Sequence, residues 1–528
     1  MRRILALFLA IAMGSALLAS CTSRQSTSGG NASGLAASGD NASGGGELAP
    51  ATITVLFTGS TVSDDAKVVE AVNARLKELG TGITFKPIWG TWSDFDSKAT
   101  TALDTGDANI DIMFTASWSA NNYISYSKKG GFVRLDDPEN DLLATYGQEV
   151  KAAVPQVLWD GFTIDGNDGR GIYAVPGYKD YAQMYTWDIN NTRLSELGFN
   201  YDDFEWNSDT FYDSRFDEAM AAAKAQYGDD FFPLAIEAEP AARHLNNHDA
   251  DPSGTILYLG FDPADPSKPE KPVITSRYDE PGYEKYINKI REYYLKGYID
   301  PRSANAQQAS DALTAQRLAG EYLFSTQTYA YGYDKTASLE RGIDGRFPPI
   351  SKAIVSTGSV QGAGYGISIY SKNQPQAMQF LNLWYTDSKL ATLLAYGLEG
   401  TTYTTNADTT ITFTDARASF LPWRNGMGNI FILPPEQESG PNYWKEFEAY
   451  NNAGVATALI GFVFDPEPVK NEIAAVTNVH AEYMLPLLVG AVDPAEKLPE
   501  FKEKLNANGA QKIIDEFNKQ VEAFLSVK

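Results

Sequence analysis

Cysteine occurs once in the 528 residues, at Cys21, and histidine three times. A single cysteine excludes a disulfide within the chain and a thiolate zinc cluster. With so few histidines and no Gly-x-Ser-x-Gly elbow, a serine or cysteine triad is not expected. His244 and His248 share helical i,i+4 spacing beside Asp249 and Asp251. The Glu of the His-Glu-x-x-His signature is missing, however, and Asn247 and Pro252 make a poor helix, so a surface loop without metal is expected. No Gly-x-x-x-x-Gly-Lys-Ser/Thr occurs, which argues against a P-loop and bound ATP.

Positive charge is scarce too. Lys and Arg number 43 against 67 Asp and Glu, a formal charge of −24. Such a surface repels phosphate backbones, so nucleic acid is not an expected partner. Only one apolar run, Ile4 to Ser20, is long enough to suggest a membrane segment. It follows Met1-Arg2-Arg3 and ends in Leu18-Ala19-Ser20-Cys21, so residues 1–20 read as an export signal. Leu-Ala-Ser-Cys resembles the bacterial lipobox, which implies that Cys21 is lipidated and becomes the mature N-terminus. Residues 21–49 read as a tether, because 17 of the 28 residues from Thr22 to Ala49 are Gly, Ser, Thr or Asn. Such a segment builds no core and would span roughly 30 Å.

The remaining length is too great for one core, and two large lobes are expected. Thr52–Phe57 reads as a β-branched strand. A helix follows, capped by Ser63, with Val68, Val69, Val72, Leu76 and Leu79 at helical spacing and Gly80 at its end. Ile83–Ile88 reads as the next strand, which completes a parallel unit. A second helix, capped by Ser93, ends at Gly106, and Ile110–Phe114 is a strand that is apolar except at Asp111. Right-handed crossovers bring the carboxyl ends of these strands to one edge. Thr58-Gly59-Ser60, Trp89 to Trp92, and Ser117-Trp118 would meet there, where open α/β sheets bind ligands. Asp111 lies in an apolar run, where an unpaired carboxylate is costly, so it is expected to be a hydrogen-bond hub.

Ala102–Trp118, Gly171-Ile-Tyr-Ala-Val-Pro176 with Met184–Asn190, Leu318–Ser325 and Gly362–Ile369 resemble segments of the extracellular solute-binding proteins of ABC importers. Tyr396–Tyr403 and the tail from Phe464 resemble a branch with its own C-terminal domain, found as Gram-positive lipoproteins. The resemblance implies an α/β, two-lobed flytrap, periplasmic-binding-protein-like (type II), with a helical C-terminal segment. Lobe 1 would be residues 50–182 and 366–415, and lobe 2 residues 183–365 and 416–528.

Aromatics are 12% of the chain, and many stand in loops with Gly, Asn or Asp. Sugar C–H faces pack on such rings while the hydroxyls need carboxylate and amide partners. The expected ligand set is Trp89, Trp92, Ser117, Trp118, Asp180, Tyr181, Tyr329, Tyr331, Tyr365, Glu399, Tyr403 and Trp423. The implied function is capture of an oligosaccharide or other small solute by lobe closure and delivery to an ABC permease. The protein would be a monomer anchored through Cys21, with no cofactor or catalytic residue. A lipid-anchored glycan hydrolase with a carboxylate pair stays open, because 67 acidic residues leave room for one. So does a surface adhesin without a small ligand.

Overall fold

The computed structural model describes residues 48–236, 257–260, 273–279, 281–305, 308–329, 331–350 and 352–527. The export signal, Cys21, nearly all of the tether and the His244/His248 pair lie outside the described residues.

Strand β1 (Ala51–Phe57) is buried from Ile53 onward, as befits a Val/Ile/Leu/Phe run covered on both faces. Helix α1 (Ala66–Glu78) turns its Val68, Val72 and Leu76 stripe onto the sheet. Strand β2 (Ile83–Trp89) then pairs parallel to β1, from Ala51 opposite Ile83 to Phe57 opposite Trp89. Helix α2 (Phe95–Thr105) ends at Gly106, whose φ of 73° is the left-handed cap that glycine adopts without strain. Strand β3 (Ile112–Thr115) completes the unit, parallel to β1. Asp65 and Asp94 hold the helix N-cap positions, not Ser63 and Ser93. The Ser63 hydroxyl instead donates to the Ser419 carbonyl, and Ser93 shares a hydrogen bond with Thr91.

Two further strands complete the first sheet. Among the described residues its order is β2-β1-β3-β9-β4, where β4 is Val175–Pro176 and β9 is Gly364–Ile367. The second sheet has the order β6-β7-β5-β8, from β5 (Met184–Asn190), β6 (Leu234–Ala235), β7 (Phe324–Tyr329) and β8 (Gly345–Arg346). Asp111 is the expected hub. It is buried, accepts from the Thr54 N–H at 2.9 Å and the Ser371 hydroxyl at 2.6 Å, and so ties β1 to the segment after β9.

The stretch after β9 forms two helices, α3 (Gln374–Thr386) and α4 (Ser388–Tyr396). Asp387 breaks them: its carboxylate accepts from the Leu390 N–H and takes both ends of the Arg75 guanidinium. After α5 (Tyr443–Asn452) come α6 (Lys470–Leu488), α7 (Pro494–Ala507) and α8 (Ala510–Val527). They pack Val476, Leu487, Phe501 and Phe517 into the second core.

Each sheet has its own apolar core, and the chain passes between them beside three neighbouring segments. Ala182 belongs to the first core and Trp187 to the second. On the return, Val355, Val360 and Ala363 already belong to the first core. The return therefore lies nearer Ile354 than the expected 365. A further passage lies at Val455–Ala456, which pairs parallel to Ile354–Val355, while Gln183 bridges Ile354. Phe420, Met427, Ile430, Trp444 and Phe447, expected with the second lobe, pack into the first core.

Candidate functional site

The carboxyl edge of the first sheet carries three indoles in mutual contact. Trp92 and Trp118 lie 6.0 Å apart between ring centroids, and Trp423 is 4.9 Å from Trp92 and 6.2 Å from Trp118. Phe114, on β3, supports Trp118 and Trp423 from below at 5.9 and 5.7 Å. Trp92 is 46% exposed and Trp118 53%, an unusual exposure for the largest apolar side chains. Their poses are fixed by the backbone. The Trp118 Nε1–H donates to the Gly362 carbonyl at 2.8 Å. The Trp92 ring lies on Gly59, where a Cβ would stand 2.4 Å from Cζ2 and the φ of 63° also favours glycine.

Beside the indoles, the Lys179 ammonium holds Asp180 at 2.9 Å. Asp180 faces helix α5, where its charge and, above all, burial raise the pKa of the Tyr450 phenol. Tyr329, at the end of β7 in the second sheet, and Tyr331, packed against the first core, meet the same helix. The Tyr331 hydroxyl donates to Glu446, and its ring packs 5.6 Å from Tyr443 and 5.5 Å from Phe447. The Tyr329 hydroxyl donates to Asp334 at 3.1 Å, with its ring 6.0 Å from Tyr450. On the other side of Trp423, a cavity of about 240 Å³ is bounded by Arg417, Arg424, Asn425, Glu436 and Tyr396. Arg424 and Glu436 form an ion pair at 2.6 Å.

Of the expected residues, the structure brings Trp92, Trp118 and Trp423 together and sets Ser117 next to them, its N–H donating to the Gln361 carbonyl. Trp89 is turned inward: it stacks on Phe57 at 4.4 Å and donates to Asp65. Tyr365 is core, at 1% exposure, because β9 is an interior strand covered on both faces, and its hydroxyl is satisfied by the Gly426 carbonyl. Tyr403 is buried near Tyr396, on a short hairpin. Tyr181 is buried as well; its hydroxyl donates to Asn452, and burial pushes its pKa up to about 12. It therefore clamps α5 to the passage between the cores. Glu399 is exposed and bridges backbone to Tyr403. Sequence reasoning passed over Arg424, Glu436 and α5. The signal for α5 was present, since Tyr443, Phe447 and Tyr450 repeat at helical spacing.

Among the described residues no group of three or more His, Cys, Asp or Glu could hold a metal ion, and no helix is long and apolar enough to cross a membrane. Along 90% of this chain and 99% of its own, the structure aligns with the N-glycan transport solute binding protein NgtS from Streptococcus pneumoniae, at TM-score 0.73 and 23% identity. The chain has the two-lobed fold of the extracellular solute-binding proteins. A solute-binding protein associated with an HMO-binding ABC transporter of Bifidobacterium longum infantis aligns at TM-score 0.61 and 16% identity, covering 90% and 99% of the two chains. In sequence, a carbohydrate ABC transporter substrate-binding protein of Streptococcus pneumoniae is 25% identical over 446 residues, 83% of this chain and 84% of its own. Residues 458–526 match the model described as Domain of unknown function (DUF3502), the helical segment that closes this solute-binding fold. Trp423 and the aromatics of α5 pack in the first core, whereas Tyr329 stands at the end of a strand of the second sheet.

Proposed function

We propose that this protein captures an oligosaccharide outside the cell and delivers it to the membrane subunits of an ABC importer. The observation that carries the reading is the trio of indoles, two of them half exposed, at the carboxyl edge of the first sheet. Pyranose C–H faces pack on indole, while Asp180, Glu436 and Arg424 offer the hydroxyls acceptors and donors. Tyr329, at the end of β7, brings the second sheet to the same ligand, so a bound sugar touches both lobes and favours the closed form.

The lobes divide near residues 183, 354 and 455, where the chain leaves one core for the other. Lipidation of Cys21 anchors a monomer to the outer face of the membrane, and the tether keeps it near the permease. Hydrolysis is disfavoured by the site itself. Asp180 and Glu436 are each engaged by a cation, Lys179 and Arg424, and are not set against each other as a carboxylate pair.

Thermal unfolding against a panel of oligosaccharides and peptides tests the reading. A true ligand at a hundred times its Kd adds about 2.7 kcal/mol of stability. That gain is expected with a glycan, is lost in Trp92→Ala and Trp118→Ala, and comes with no release of reducing sugar. A gain that survives both substitutions moves the site elsewhere. A gain with peptides alone overturns the sugar, and none with any ligand favours an adhesin.

A further inference from the structure

The cavity beside Trp423 differs from the rest of the site in its charge and its hydrogen bonding. The chain carries −24 overall, yet this cavity is bounded by two guanidinium groups and one carboxylate. Arg424 is matched by Glu436. Arg417 is not: among the described residues it pairs with no carboxylate. Its Nη1 donates to the carbonyls of Ala395 and Phe420 at 3.0 and 2.7 Å, and its plane lies over Phe413 and Tyr396 at 4.7 and 5.5 Å. Burial pulls the Arg417 pKa down to about 10, against the attraction of Glu436 across the cavity, so at neutral pH it stays charged with no carboxylate in ion-pair contact.

Two polar groups bordering the cavity lack partners. The hydroxyl of Tyr396, a residue only 1% exposed, makes no hydrogen bond, and neither does the Arg424 Nε–H. The Arg424 guanidinium approaches the phenol oxygen and stabilises it, but in a geometry that satisfies neither the Tyr396 hydroxyl nor the Arg424 Nε–H. Burial pushes the phenol up to about 12, so it keeps its proton and can donate. Unmade hydrogen bonds on buried groups are costly. Here both unmade groups can donate, and the one carboxylate acceptor is already engaged by Arg424.

Resting on the oligosaccharide reading, we propose that this cavity is a subsite for an acidic sugar, receiving the carboxylate of a uronic or sialic acid unit whose neighbour stacks on Trp423. A carboxylate supplies the acceptors that Tyr396 and Arg424 lack and the direct ion-pair contact that Arg417 lacks. A neutral sugar hydroxyl supplies an acceptor but leaves the charge unbalanced.

Titration calorimetry on the full chain, with glycan pairs that differ in one carboxylate, tests this. Suitable pairs are glucuronic acid-terminated against glucose-terminated oligosaccharides, and sialylated against unsialylated lactose. The acidic member is expected to bind about tenfold more tightly, the scale of one charge-assisted hydrogen bond, with the ratio shrinking as salt is raised. The ratio falls towards one in Arg417→Gln and in Tyr396→Phe. Arg417 also holds the end of α4, so if Arg417→Gln does not fold, Tyr396→Phe carries the test. Equal or weaker binding of the acidic member, with the neutral one still bound, overturns the acidic subsite and leaves the oligosaccharide reading standing. Binding of neither member of any pair overturns both.

Discussion

Gly59 shows how one backbone position holds a side chain elsewhere. Its φ of 63° lies where an L-residue costs roughly 1–2 kcal/mol, and the Trp92 ring occupies the space a Cβ would need. Gly59→Ala is therefore expected to lose about 1–2 kcal/mol in urea denaturation and, unlike a plain strain site, to lose the glycan-induced thermal shift as well. Trp92→Ala should lose the shift alone, because that ring is 46% exposed and supports little of the core. Calorimetry on the two variants separates strain from ligand contact. Asp111 and Trp118 were legible in the sequence for a related reason, because each breaks its local pattern, one a charge in an apolar run and the other an indole at a strand end. Tyr365 and Tyr403 were misread because an aromatic's identity does not reveal its face. Whether it points to solvent depends on which strands cover it, and β9 proved to be an interior strand.

At the scale of elements, parallel strand and helix order was readable from periodicity, but the helices begin one or two residues beyond the serines expected there, at Asp65 and Asp94, whose side chains make no cap hydrogen bond. Helix α6 carries a further consequence. Its His480 packs 6.5 Å from Tyr278 and 6.4 Å from Phe501, and burial, helped by the nearby Arg277, lowers its pKa to about 4. A free histidine titrates near 6.5, so between those values the unfolded chain binds the extra proton. The contribution to stability is complete above pH 6.5 and is lost as pH falls towards 4, at no more than about 1.4 kcal/mol per pH unit. In His480→Gln this component disappears. Urea denaturation of both proteins between pH 7 and about 4.5 should show a shallower decline in the variant, and parallel curves would place the proton elsewhere. The DUF3502 segment, which contains α6, is thus expected to loosen first in mild acid.

At the scale of the whole molecule, the proposed closure needs a place where the two cores can turn about each other, and we propose Gly454 as that place. A Cβ there would stand 2.7 Å from the Ala182 Cβ, 2.9 Å from the Val355 Cγ2 and 3.0 Å from the Asn451 carbonyl oxygen. Those neighbours belong to the two other passages between the cores and to the end of α5. The sequence left this meeting hidden because its partners are 272 and 99 residues away along the chain, and only the fold brings them together. Asn451 reinforces the point, since its side chain donates to the Lys179 carbonyl and accepts from the Tyr181 and Ala182 N–H groups. Gly454→Val would force the three segments apart, an overpacking cost of about 1–3 kcal/mol. Each core should survive, because neither Gly454 nor its immediate contacts reach the centre of a sheet. What should change is the coupling. Small-angle scattering of the native protein is expected to show a smaller radius of gyration with glycan than without. In Gly454→Val the contraction should shrink and affinity should fall, with circular dichroism unchanged. Full contraction in the variant would mean that the cores turn about some other point, and that the contact at Gly454 is packing alone.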